Sequence, residues 1–500
     1  MAPTPTDILE QLATMGVRVT GLCADTRALA RGEVFLAYPG ERTDGRAYIN
    51  RALDAGAAAV LWEREGFSWN EDWRAPNVPV DGLRGLAGPL AHEVYGHPSD
   101  KLWMVGVTGT NGKTSCSQWI AQGLSSANAG AQGKRTAVMG TLGRGFPGAL
   151  EPDPNTTPDA IVLQKSLARF VEAGAEACAM EASSIGLDQG RCNGIAFDVA
   201  VFTNLTRDHL DYHGSMEAYA AAKVKLFEMP GLAHAVLNLD DVLGVLIAQK
   251  LSGSGIERIG YSLVPDAGRR GGLERFLEAH DIAFKERGIA FRLVSSWGDA
   301  DVATRLSGRF NVANLLAVIG ALIASGVPFD AAVRRAEEFE PVVGRMQALG
   351  GEGGPLIIVD YAHTPDALDK VLVAVTETAR ARGGRLVCLF GCGGDRDRGK
   401  RSLMGQAASR HADHVVVTSD NPRGESPEAI VADIVPGLGA AHEIIVDRRE
   451  AIRRTVAAAA PEDVIVLAGK GHEPYQEIAG VRYPFSDLEE ARQALEERRA

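Results

Sequence analysis

Long apolar runs, a secretory signal and paired cysteines are all missing from this 500-residue sequence. No uninterrupted apolar stretch approaches the roughly 18 residues of a transmembrane helix. The N-terminus lacks a basic region followed by an apolar core. The six cysteines form no paired Cys-x-x-C set, so we expect reduced side chains in the core. These absences predict a cytosolic protein that does not span a membrane.

An excess of positive charge is also missing. The net charge is −12 and the isoelectric point is near 5.5, which argues against electrostatic binding of nucleic acid but allows local basic pockets for acidic substrates. The composition is globular, with 45% hydrophobic and 23% charged residues. At roughly 100–200 residues per domain, the length predicts about three domains.

A glycine-rich segment follows a short apolar run that predicts a buried strand over residues 102–107. Residues 108–114 have the sequence TGTNGKT and precede a helix-compatible run, which is the layout of a phosphate-binding loop. Its glycines let backbone N–H groups approach an anion, and the helix N-terminus adds partial positive charge. Lys113 would reach the terminal phosphates, and the Thr114 hydroxyl would ligate Mg²⁺. Val107 replaces the first glycine of the usual pattern, so the loop is a variant; the alternative is an ordinary glycine turn.

The chain is predicted to form an α/β protein of three domains, over residues 1–98, 99–340 and 341–500. In the second and third domains, successive apolar runs are each followed by polar residues. In open parallel sheets, ligands bind at the edge formed by the carboxyl ends of the strands, which is where these polar residues would lie. The third domain resembles a Rossmann-like sheet without a phosphate loop of its own. Two polar edges, one of them holding ATP, predict a cleft where a second substrate meets the nucleotide.

Two Thr-Pro pairs predict helix starts. Thr157 is a favourable N-cap with Pro158 at the first helical position, and Thr364 and Pro365 repeat the arrangement. We therefore predict helices beginning at residues 158 and 365.

Several titratable side chains lie at or near predicted strand ends, and each has a structural alternative. Glu181 suits a Mg²⁺ ligand or the anchor of a bound water. A histidine ligand to Mg²⁺ is unusual, so residue chemistry alone favours a structural hydrogen-bonding role for His209. Lys223 lies in a small-residue helical run typical of a solvated helix face. Asp360 fits a ribose or metal partner, or an N-cap.

Arg396 and Arg423 follow turns at two predicted strand ends, where a guanidinium suits bidentate recognition of a carboxylate. Basic residues at 398, 400 and 401 raise the alternative of a nucleic-acid patch. Asp395 and Asp397 interrupt that run, no aromatic residues alternate with it, and the whole chain is acidic. We therefore favour carboxylate recognition.

A set of motifs resembles those of the Mur ligases of peptidoglycan synthesis, in the same order and spacing and over nearly the whole chain. The motifs are TGTNGKT at 108–114, EASS at 181–184, NLTRDHLDYH at 204–213, GRFN at 308–311 and DYAHTP at 360–365. Within that family the chain most resembles the ligases that add the third amino acid of the stem peptide. DNPR at 420–423 is like the signature of members that add meso-diaminopimelate rather than L-lysine.

The resemblance implies sites for ATP and Mg²⁺ in the central domain. It implies that Lys223 is carbamylated by CO₂ and faces a second Mg²⁺, and that His209 is a Mg²⁺ partner. These implied roles replace the solvated helix face suggested for Lys223 and the structural hydrogen bond suggested for His209. The implied nucleotide-binding residues are Gly109, Thr110, Asn111, Gly112, Lys113, Thr114, Asn311, Arg345 and Asp360. The implied metal site is Thr114, Glu181, His209 and carbamylated Lys223, and the implied catalytic residues are Lys113, Lys223, His209 and His363.

The resemblance also implies an N-terminal domain that binds the UDP-linked peptide and a C-terminal domain that binds the incoming amino acid. The UDP-substrate positions are Ala24, Thr26, Glu41, Arg42, Thr43, Asn155, Thr156, Thr157, Ser183, Gln189 and Arg191. Thr26 stands where a serine is expected, and the turn at 41–43 is variable in the family. The amino-acid positions are Arg396, Asp420, Asn421, Pro422, Arg423, Gly469 and Glu473. The implied partners are small-molecule substrates only, and the implied state is a monomer.

The implied reaction is ATP-dependent amide ligation through an acyl phosphate. Arg423 would pair with the far-end carboxylate of diaminopimelate and Glu473 with its amine. One alternative is a member that adds L-lysine, and another is a ligase like folylpolyglutamate synthetase, which should lack the N-terminal domain and the DNPR motif. A non-catalytic nucleotide switch would need neither a carbamate lysine nor an amino-acid pocket.

Overall fold

The computed structural model describes residues 3–41, 43–126, 133–266, 272–273, 275–285, 288–306, 308–351 and 353–499. Within these residues the strands form one sheet in each predicted domain and a separate hairpin near the C-terminus. The predicted α/β class is confirmed, while the boundaries at residues 98 and 340 stay predictions. Arg42 lies outside the described residues. Among the helices that the structure describes, none is both long and apolar enough to cross a membrane.

The N-terminal sheet is parallel, in the order β1-β2-β3-β4. Its middle strands consist of buried residues, as expected where both faces of a parallel sheet are covered. The strands are Leu22–Cys23, Val34–Ala37, Ala59–Glu63 and Asn77–Val80, and the helices are Pro5–Thr14, Ile49–Asp54 and Leu83–Val94. Ala160 and Ile161 of the central domain belong to this domain's hydrophobic core, which joins the two domains through packing.

The central sheet has the order β15-β14-β13-β12-β11-β10-β5-β9-β6-β7-β8 in the described residues. It is parallel from β13 to β6 and antiparallel at both edges. Its strands are Trp103–Thr108, Thr136–Gly140, Gly143–Phe146, Ala149–Glu151, Ala177–Glu181, Val199–Phe202, His234–Asn238, Glu257–Ser262, Arg275–Lys285, Gly288–Ser295 and Gly298–Thr304. The strand that enters the glycine loop, β5, therefore lies inside the sheet with β9 and β10 beside it.

The helices of the central domain cover both faces of that sheet. Their bounds are Lys113–Ser125, Ala160–Glu172, Ser184–Asp188, Leu210–His213, Met216–Val224, Val242–Lys250, Arg309–Ala324 and Phe329–Glu337. Helix Arg309–Ala324 is apolar nearly all round because it is buried between the sheet and helix Lys113–Ser125.

The C-terminal sheet has the order β16-β17-β21-β18-β19-β20 in the described residues, and only β16 is antiparallel to its neighbour. Its strands are Gln347–Gly350, Leu356–Asp360, Leu386–Phe390, His414–Val417, His442–Ile444 and Val464–Ala468, followed by the hairpin β22–β23 at Tyr475–Ile478 and Val481–Pro484. The helices are Pro365–Arg382, Lys400–His411, Pro427–Ile434, Arg448–Ala458 and Asp487–Arg499. Hydrophobic clusters lie on both faces of this sheet, as expected for a doubly wound domain.

One predicted helix start is confirmed and the other is wrong. Thr364 caps helix Pro365–Arg382 by accepting a hydrogen bond from the backbone of Ala367. The other helix begins at Ala160 with Asp159 as its N-cap, so it does not begin at residue 158. The Thr157 hydroxyl instead donates to the Glu181 carbonyl at 2.8 Å, because tertiary hydrogen bonds outweigh its local capping preference.

A fully buried ion pair connects the last helix to the C-terminal sheet. The Arg448 guanidinium contacts the Asp487 carboxylate through two hydrogen bonds of 2.7 Å, and both side chains are 0% exposed. Arg448 also donates to the carbonyl of Ala468, at the end of β21. The pair therefore holds helix Asp487–Arg499 against the strand end from which the 469–473 segment departs.

We expect Asp487→Asn to lower the free energy of unfolding by about 3 kcal/mol, because it leaves a buried guanidinium without its counter-charge. Glu497→Gln is the matched control, since Glu497 pairs with Arg453 between the same two helices but in solvent. That change should cost less than about 1 kcal/mol. Urea titrations followed by circular dichroism compare the two, and equal midpoints would contradict a structural role for the buried pair.

Candidate active site

The loop between β5 and helix Lys113–Ser125 needs glycine at two positions. Gly109 has φ +148° and Gly112 has φ +86°, in the region that favours glycine. A Cβ atom on Gly109 would lie 1.9 Å from Thr203 Oγ1, and one on Gly112 would lie 2.5 Å from Asn314 Oδ1. The backbone here is therefore open on one side and tightly packed on the other, as in a cradle for an anion.

The loop is held from behind by the segment that follows β10. The Thr203 hydroxyl donates to the Asn111 carbonyl at 2.6 Å, and Asn204 Oδ1 accepts from the Asn111 backbone at 2.9 Å. The Thr110 hydroxyl donates to the Thr206 carbonyl at 3.1 Å and contacts the Tyr219 hydroxyl at 3.0 Å. These contacts fix the loop before any ligand binds.

Lys113 folds back over the loop from the first turn of its helix. Its Nζ donates to the carbonyls of Gly109 and Thr110 at 2.8 and 2.9 Å. Burial lowers the pKa of Lys113, while the charges of Glu181 and Asp208 oppose that shift. The ammonium group thus lies beside the open backbone of the loop.

Glu181, at the buried end of β9, is the centre of an oxygen-rich cluster. Its carboxylate accepts hydrogen bonds from the Thr114 hydroxyl at 3.1 Å, the Thr141 backbone at 2.8 Å and the Thr141 hydroxyl at 3.1 Å. Arg345 of the C-terminal domain donates to the same Thr114 hydroxyl at 3.1 Å. Carboxylate and hydroxyl oxygens are the donors that Mg²⁺ prefers, so this cluster fits a magnesium site.

Asp208 lies between charged or titratable groups from both domains. His209 Nε2 is 3.5 Å and His363 Nε2 is 3.9 Å from its carboxylate, and Lys400 Nζ is 3.8 Å away. His363 Nδ1 is 2.9 Å from the Tyr361 carbonyl, so it carries the proton that it donates there. Nε2 of a neutral His363 is then the unprotonated nitrogen, directed toward Asp208. Burial lowers the pKa of His209 and of His363 to about 4 in each case.

Lys223 is buried, with 1% of its surface exposed, so the solvated-face reading is wrong. Its Nζ lies 4.3 Å from the ring centroid of Tyr219, one turn earlier in helix Met216–Val224. Burial, assisted by the charge of Lys113, lowers the pKa of Lys223 well below its ordinary value. A desolvated lysine of this kind is typical of a functional site.

A cleft of about 800 Å³ lies between the central and C-terminal domains. Asn111 Nδ2 donates to Asp366 Oδ2 across it at 2.9 Å, and the Arg345 guanidinium lies 4.5 Å from the Tyr361 ring centroid. The predicted residues that line it are Thr110, Asn111, Gly112, Lys113, Thr114, Thr156, Glu181, Ser183, His209, Lys223, Asn311, Arg345, Asp360 and His363. The structure thus brings most of the predicted nucleotide, metal and catalytic positions to one cleft.

Asn311 and Asp360 line the cleft but are engaged in local hydrogen bonds. Asn311 Oδ1 accepts from Asn314 Nδ2 at 3.1 Å. The Asp360 carboxylate accepts from the backbones of Met346 and Ala362, both at 2.8 Å, and burial raises its pKa. The N-cap alternative for Asp360 is wrong, because the next helix has Thr364 as its N-cap. The contact of Asp360 with ribose stays a prediction.

A second group of predicted residues forms a network beside Glu181. Arg191 donates to the Thr157 carbonyl at 2.7 Å and to Gln189 Oε1 at 2.6 Å. The Thr157 hydroxyl accepts from the Ser183 backbone at 2.9 Å and lies 2.9 Å from the Ser183 hydroxyl, and Thr156 contacts Thr141 at 3.1 Å. The network therefore connects the predicted substrate positions of the central domain to the carboxylate cluster.

The N-terminal members of the substrate set lie on turns of the first sheet. Ala24 and Thr26 are half-buried after β1, and Glu41 and Thr43 are exposed after β2. The Glu41 carboxylate accepts from Arg84 at 2.9 Å. Asn155 is exposed in the central domain. A binding role for these residues stays a prediction.

Most residues predicted to bind the amino acid lie together at the C-terminal ends of β19 and β21. None of them is among the described residues that line the cleft. Asn421 Nδ2 donates to Glu473 Oε2 at 2.8 Å. Arg423, half-buried with φ +51°, donates to the Gly394 carbonyl at 2.9 Å. A Cβ atom on Gly469 would lie 2.4 Å from Asp420 Oδ2, so that position needs glycine. Pro422 is buried beside Arg423, and Arg396 is exposed at the neighbouring strand end.

Sequence reasoning did not assign a role to several residues that the structure brings to these sites. Thr141 contacts Glu181, Lys400 approaches Asp208, and Asp366 crosses the cleft to Asn111. Lys470 is fully buried against Glu473. Of these residues, only Lys470 could have been singled out from the sequence, since it lies in a polar run directly after a predicted strand. The other contacts join elements far apart in the chain.

We expect the imidazole of His363 to stay neutral down to about pH 5, because burial lowers its pKa to about 4. In the unfolded chain the same imidazole takes up a proton near pH 6.5. The free energy of unfolding should therefore fall as the pH decreases from about 6.5 to about 4. NMR titration of ¹³C-labelled histidine measures the midpoint, with His363→Gln to assign the signal. His363→Gln should also weaken the pH dependence of stability, with the part that comes from His209 left in place. A midpoint near 6.5 would show that the imidazole is not desolvated.

Comparison with known proteins agrees with this geometry. Family models match residues 18–95 (Mur ligase family, catalytic domain), 107–322 (Mur ligase middle domain) and 344–471 (Mur ligase, glutamate ligase domain). The chain is 49% identical to the UDP-N-acetylmuramoyl-L-alanyl-D-glutamate–2,6-diaminopimelate ligase of Nitrosomonas europaea, covering 97% of this chain and 94% of that protein. It is 51% identical to the ligase of the same name from Ectopseudomonas mendocina, covering 99% and 98%.

A solved structure of a ligase with that name is 38% identical, with a TM-score of 0.66 over 96% of both chains. The resemblance inferred from the motifs is therefore confirmed at the level of sequence, domain order and fold. The chain belongs to the Mur ligase family.

Proposed function

We propose that this protein is an ATP-dependent ligase that joins meso-diaminopimelate to UDP-N-acetylmuramoyl-L-Ala-D-Glu, giving the UDP-linked tripeptide of peptidoglycan synthesis. The observation that carries the proposal is the meeting of two domains over the phosphate loop, where Arg345 reaches Thr114 beside Glu181. A cleft of this kind suits a reaction between a nucleotide and a second substrate. Near-full-length relatives at about half identity bear the name of this ligase, which supports the choice of substrates.

ATP would bind with its phosphates on the glycine loop and its adenine toward Asn311. The open backbone at Gly109 and Gly112 fits phosphate oxygens, and Lys113 and Arg345 supply positive charge. Asp360 would lie on the ribose side. Mg²⁺ would be held by Thr114, Glu181, His209 and a carbamylated Lys223, and when bound it neutralises phosphate charge.

In the first step, an oxygen of the D-Glu γ-carboxylate attacks the γ-phosphorus, and the bond to the β,γ-bridging oxygen breaks. The products are an acyl phosphate and ADP. Two anions must approach each other, so Lys113 and Arg345 stabilise the charge that develops between them. The substrate peptide would be oriented by Thr156, Thr157, Ser183, Gln189 and Arg191, with Asn155 and the N-terminal positions Ala24, Thr26, Glu41, Arg42 and Thr43 toward the UDP end.

In the second step, an amine of diaminopimelate attacks the acyl carbon. The tetrahedral intermediate expels inorganic phosphate, and the nitrogen loses a proton to leave a neutral amide. His363 is neutral above about pH 4 and is assigned here as the proton acceptor. The Tyr361 carbonyl orients its ring, and the Asp208 carboxylate, 3.9 Å from Nε2, favours the ring once it has accepted a proton.

Selection of diaminopimelate over lysine follows from the far end of the amino acid. Diaminopimelate carries a carboxylate and an amine there, whereas lysine carries only the amine. Arg423 would pair with that carboxylate, supported by Arg396, Asp420 and Asn421, and Glu473 with the amine. Lysine would lack this charge-assisted contact with Arg423, which is worth about 1.5–3 kcal/mol.

The cellular setting that we propose is the cytoplasm, where the protein acts as a monomer on small molecules without nucleic-acid or membrane partners. The net charge of −12 supports the absence of a nucleic-acid partner. A folylpolyglutamate synthetase-like function is not favoured, because such a ligase should lack the N-terminal domain and the DNPR motif, whereas this chain has both.

Phosphate release with ATP and the UDP-linked dipeptide tests the function, with meso-diaminopimelate, L-lysine or no amine added. We expect release that requires diaminopimelate. Arg423→Ala should lower kcat/KM for diaminopimelate by about 100-fold and leave that for lysine nearly unchanged, because only the first makes the charged contact.

Arg482→Ala is the control, since Arg482 is 60% exposed on the adjoining hairpin. Release that ignores the amine would refute the ligase, and a preference for lysine would replace the substrate. If Arg423→Ala kept the wild-type ratio of kcat/KM for diaminopimelate over lysine, Arg423 would not be the selecting residue.

The carbamate on Lys223 has its own test. Its lowered pKa makes the neutral amine available, and that form adds to CO₂ with release of a proton. Lys223→Met should lower kcat by about 100-fold or more, whereas Lys223→Glu, which carries its own carboxylate, should retain part of the activity. Assays in CO₂-depleted and bicarbonate-supplemented buffer should change the wild type but not Lys223→Glu. A wild type indifferent to CO₂ would rule out the carbamate.

A further inference from the structure

Lys470 is a fully buried cation in the group of residues proposed to receive the amino acid. It follows Gly469 at the end of β21, and its side chain is 0% exposed. Its Nζ donates to Asn421 Oδ1 and to Glu473 Oε2, both at 3.1 Å. The function proposed above assigns no role to this lysine. A buried ammonium is costly unless it is paired, so its position between these two side chains calls for an explanation.

The charges around Glu473 make Lys470 its nearest counter-charge. Burial raises the pKa of Glu473, the charge of Asp420 raises it further, and the charge of Lys470 opposes both. Arg448, whose charge also interacts with Glu473, is already paired with Asp487.

Uncharged groups complete the surroundings of Glu473. Tyr361, directly after β17, and Tyr475 of the hairpin are both affected by the charge of Glu473, and burial raises the pKa of each. Both tyrosines are therefore neutral near neutral pH. Ionisation of Glu473 there depends on Lys470 more than on any other group around it in the described chain.

The hydrogen bonds also leave one side of Glu473 open. Asn421 and Lys470 both donate to Oε2, and no hydrogen bond to Oε1 is present among the described residues. Asn421 is itself held, since its Oδ1 also accepts from the Glu477 backbone at 2.9 Å. The carboxylate is thus fixed through one oxygen, and the other remains available to a ligand.

We propose that Lys470 is a positioning residue for the amino-acid substrate: it keeps Glu473 ionised and turned so that Oε1 receives the far-end ammonium group. This rests on the proposed function, in which Glu473 is the partner of that amine. The physical basis is charge balance, since a carboxylate beside Asp420 would otherwise take up a proton and lose its attraction for an ammonium ion. Lys470 acts through Glu473 and does not itself touch the substrate.

The test measures KM for meso-diaminopimelate from pH 6 to pH 9 in the wild type, Lys470→Gln and Lys470→Arg. Lys470→Gln removes the charge but keeps a polar donor, and Lys470→Arg keeps the charge. In Lys470→Gln we expect the acid limb of the profile to move up by about 1–3 pH units, so that KM rises about tenfold or more near pH 7 and recovers toward pH 9. KM for ATP and for the UDP-linked dipeptide should stay within about twofold in each variant.

The double variant Lys470→Gln/Glu473→Gln separates positioning from a merely structural role. If Lys470 acts through Glu473, the double variant should match Glu473→Gln alone, with no pH-dependent KM. A purely structural lysine would raise KM equally at every pH and would add to the effect of Glu473→Gln, and that result would overturn the proposal.

Arg482→Met is the matched control because Arg482 lies 4.3 Å from the centroid of the Tyr475 ring that Lys470 also faces, yet it is 60% exposed. Its profile should equal that of the wild type. Circular dichroism checks that each variant is folded. If the Lys470 variants do not fold, the wild-type profile decides: a flat KM down to about pH 6 supports the proposal, and a rise already between pH 9 and pH 7 overturns it. Failure of the proposed function is distinguishable, because the wild type would then release phosphate without regard to the amine.

Discussion

The close packing of the phosphate loop against the segment after β10 is the constraint on which the cleft depends. Gly109 lies so near Thr203 that no side chain fits between them, and Asn111 is held through its backbone by Thr203 and Asn204. Because these bonds are made within the protein, the loop is preorganised and a ligand need not pay to order it. The same segment continues into Asp208, so loop and cleft share one support.

Charge balance is the second constraint. Lys113 and Lys223 approach from the central domain, and Lys400 from the C-terminal domain, toward Asp208. Carboxylates such as Glu181 and Asp208 line the same cleft, so charges of both signs are mixed there. The cations Lys113 and Arg345 lie next to the glycine loop, which suits that part of the cleft to an anion even though the chain carries a net charge of −12. Desolvation is the main reason why the pKa of both lysines falls, because burial disfavours the charged ammonium form. The charge of Lys113 adds to the shift at Lys223, whereas Glu181 and Asp208 oppose the shift at Lys113.

The amino-acid pocket uses the same physics at the same edge of the C-terminal sheet, where β17 and β21 end side by side. In that pocket the buried Lys470 lies beside Glu473, whereas in the cleft Asp208 lies near Lys400. In both places an ionised group is kept by a neighbour of opposite charge, and the remaining hydrogen-bonding capacity faces a ligand. The two sites are connected through β17 and β21, which end at Asp360 and at Gly469 and are paired along their length. Substrates in the two sites would therefore be positioned by the same edge of one sheet.

The sequence by itself determined the loop, the α/β class, the order of the domains and some of the residues that line the cleft. Those features are local, since glycines, apolar runs and the polar residues after them lie within a few positions of one another. The tertiary structure alone decided that Thr157 bonds to Glu181 and leaves the helix start to Asp159, and that Lys223 is buried. It also decided which counter-charges reach Asp208 and Glu473. Burial and long-range pairing depend on how distant segments pack, and no local pattern encodes that.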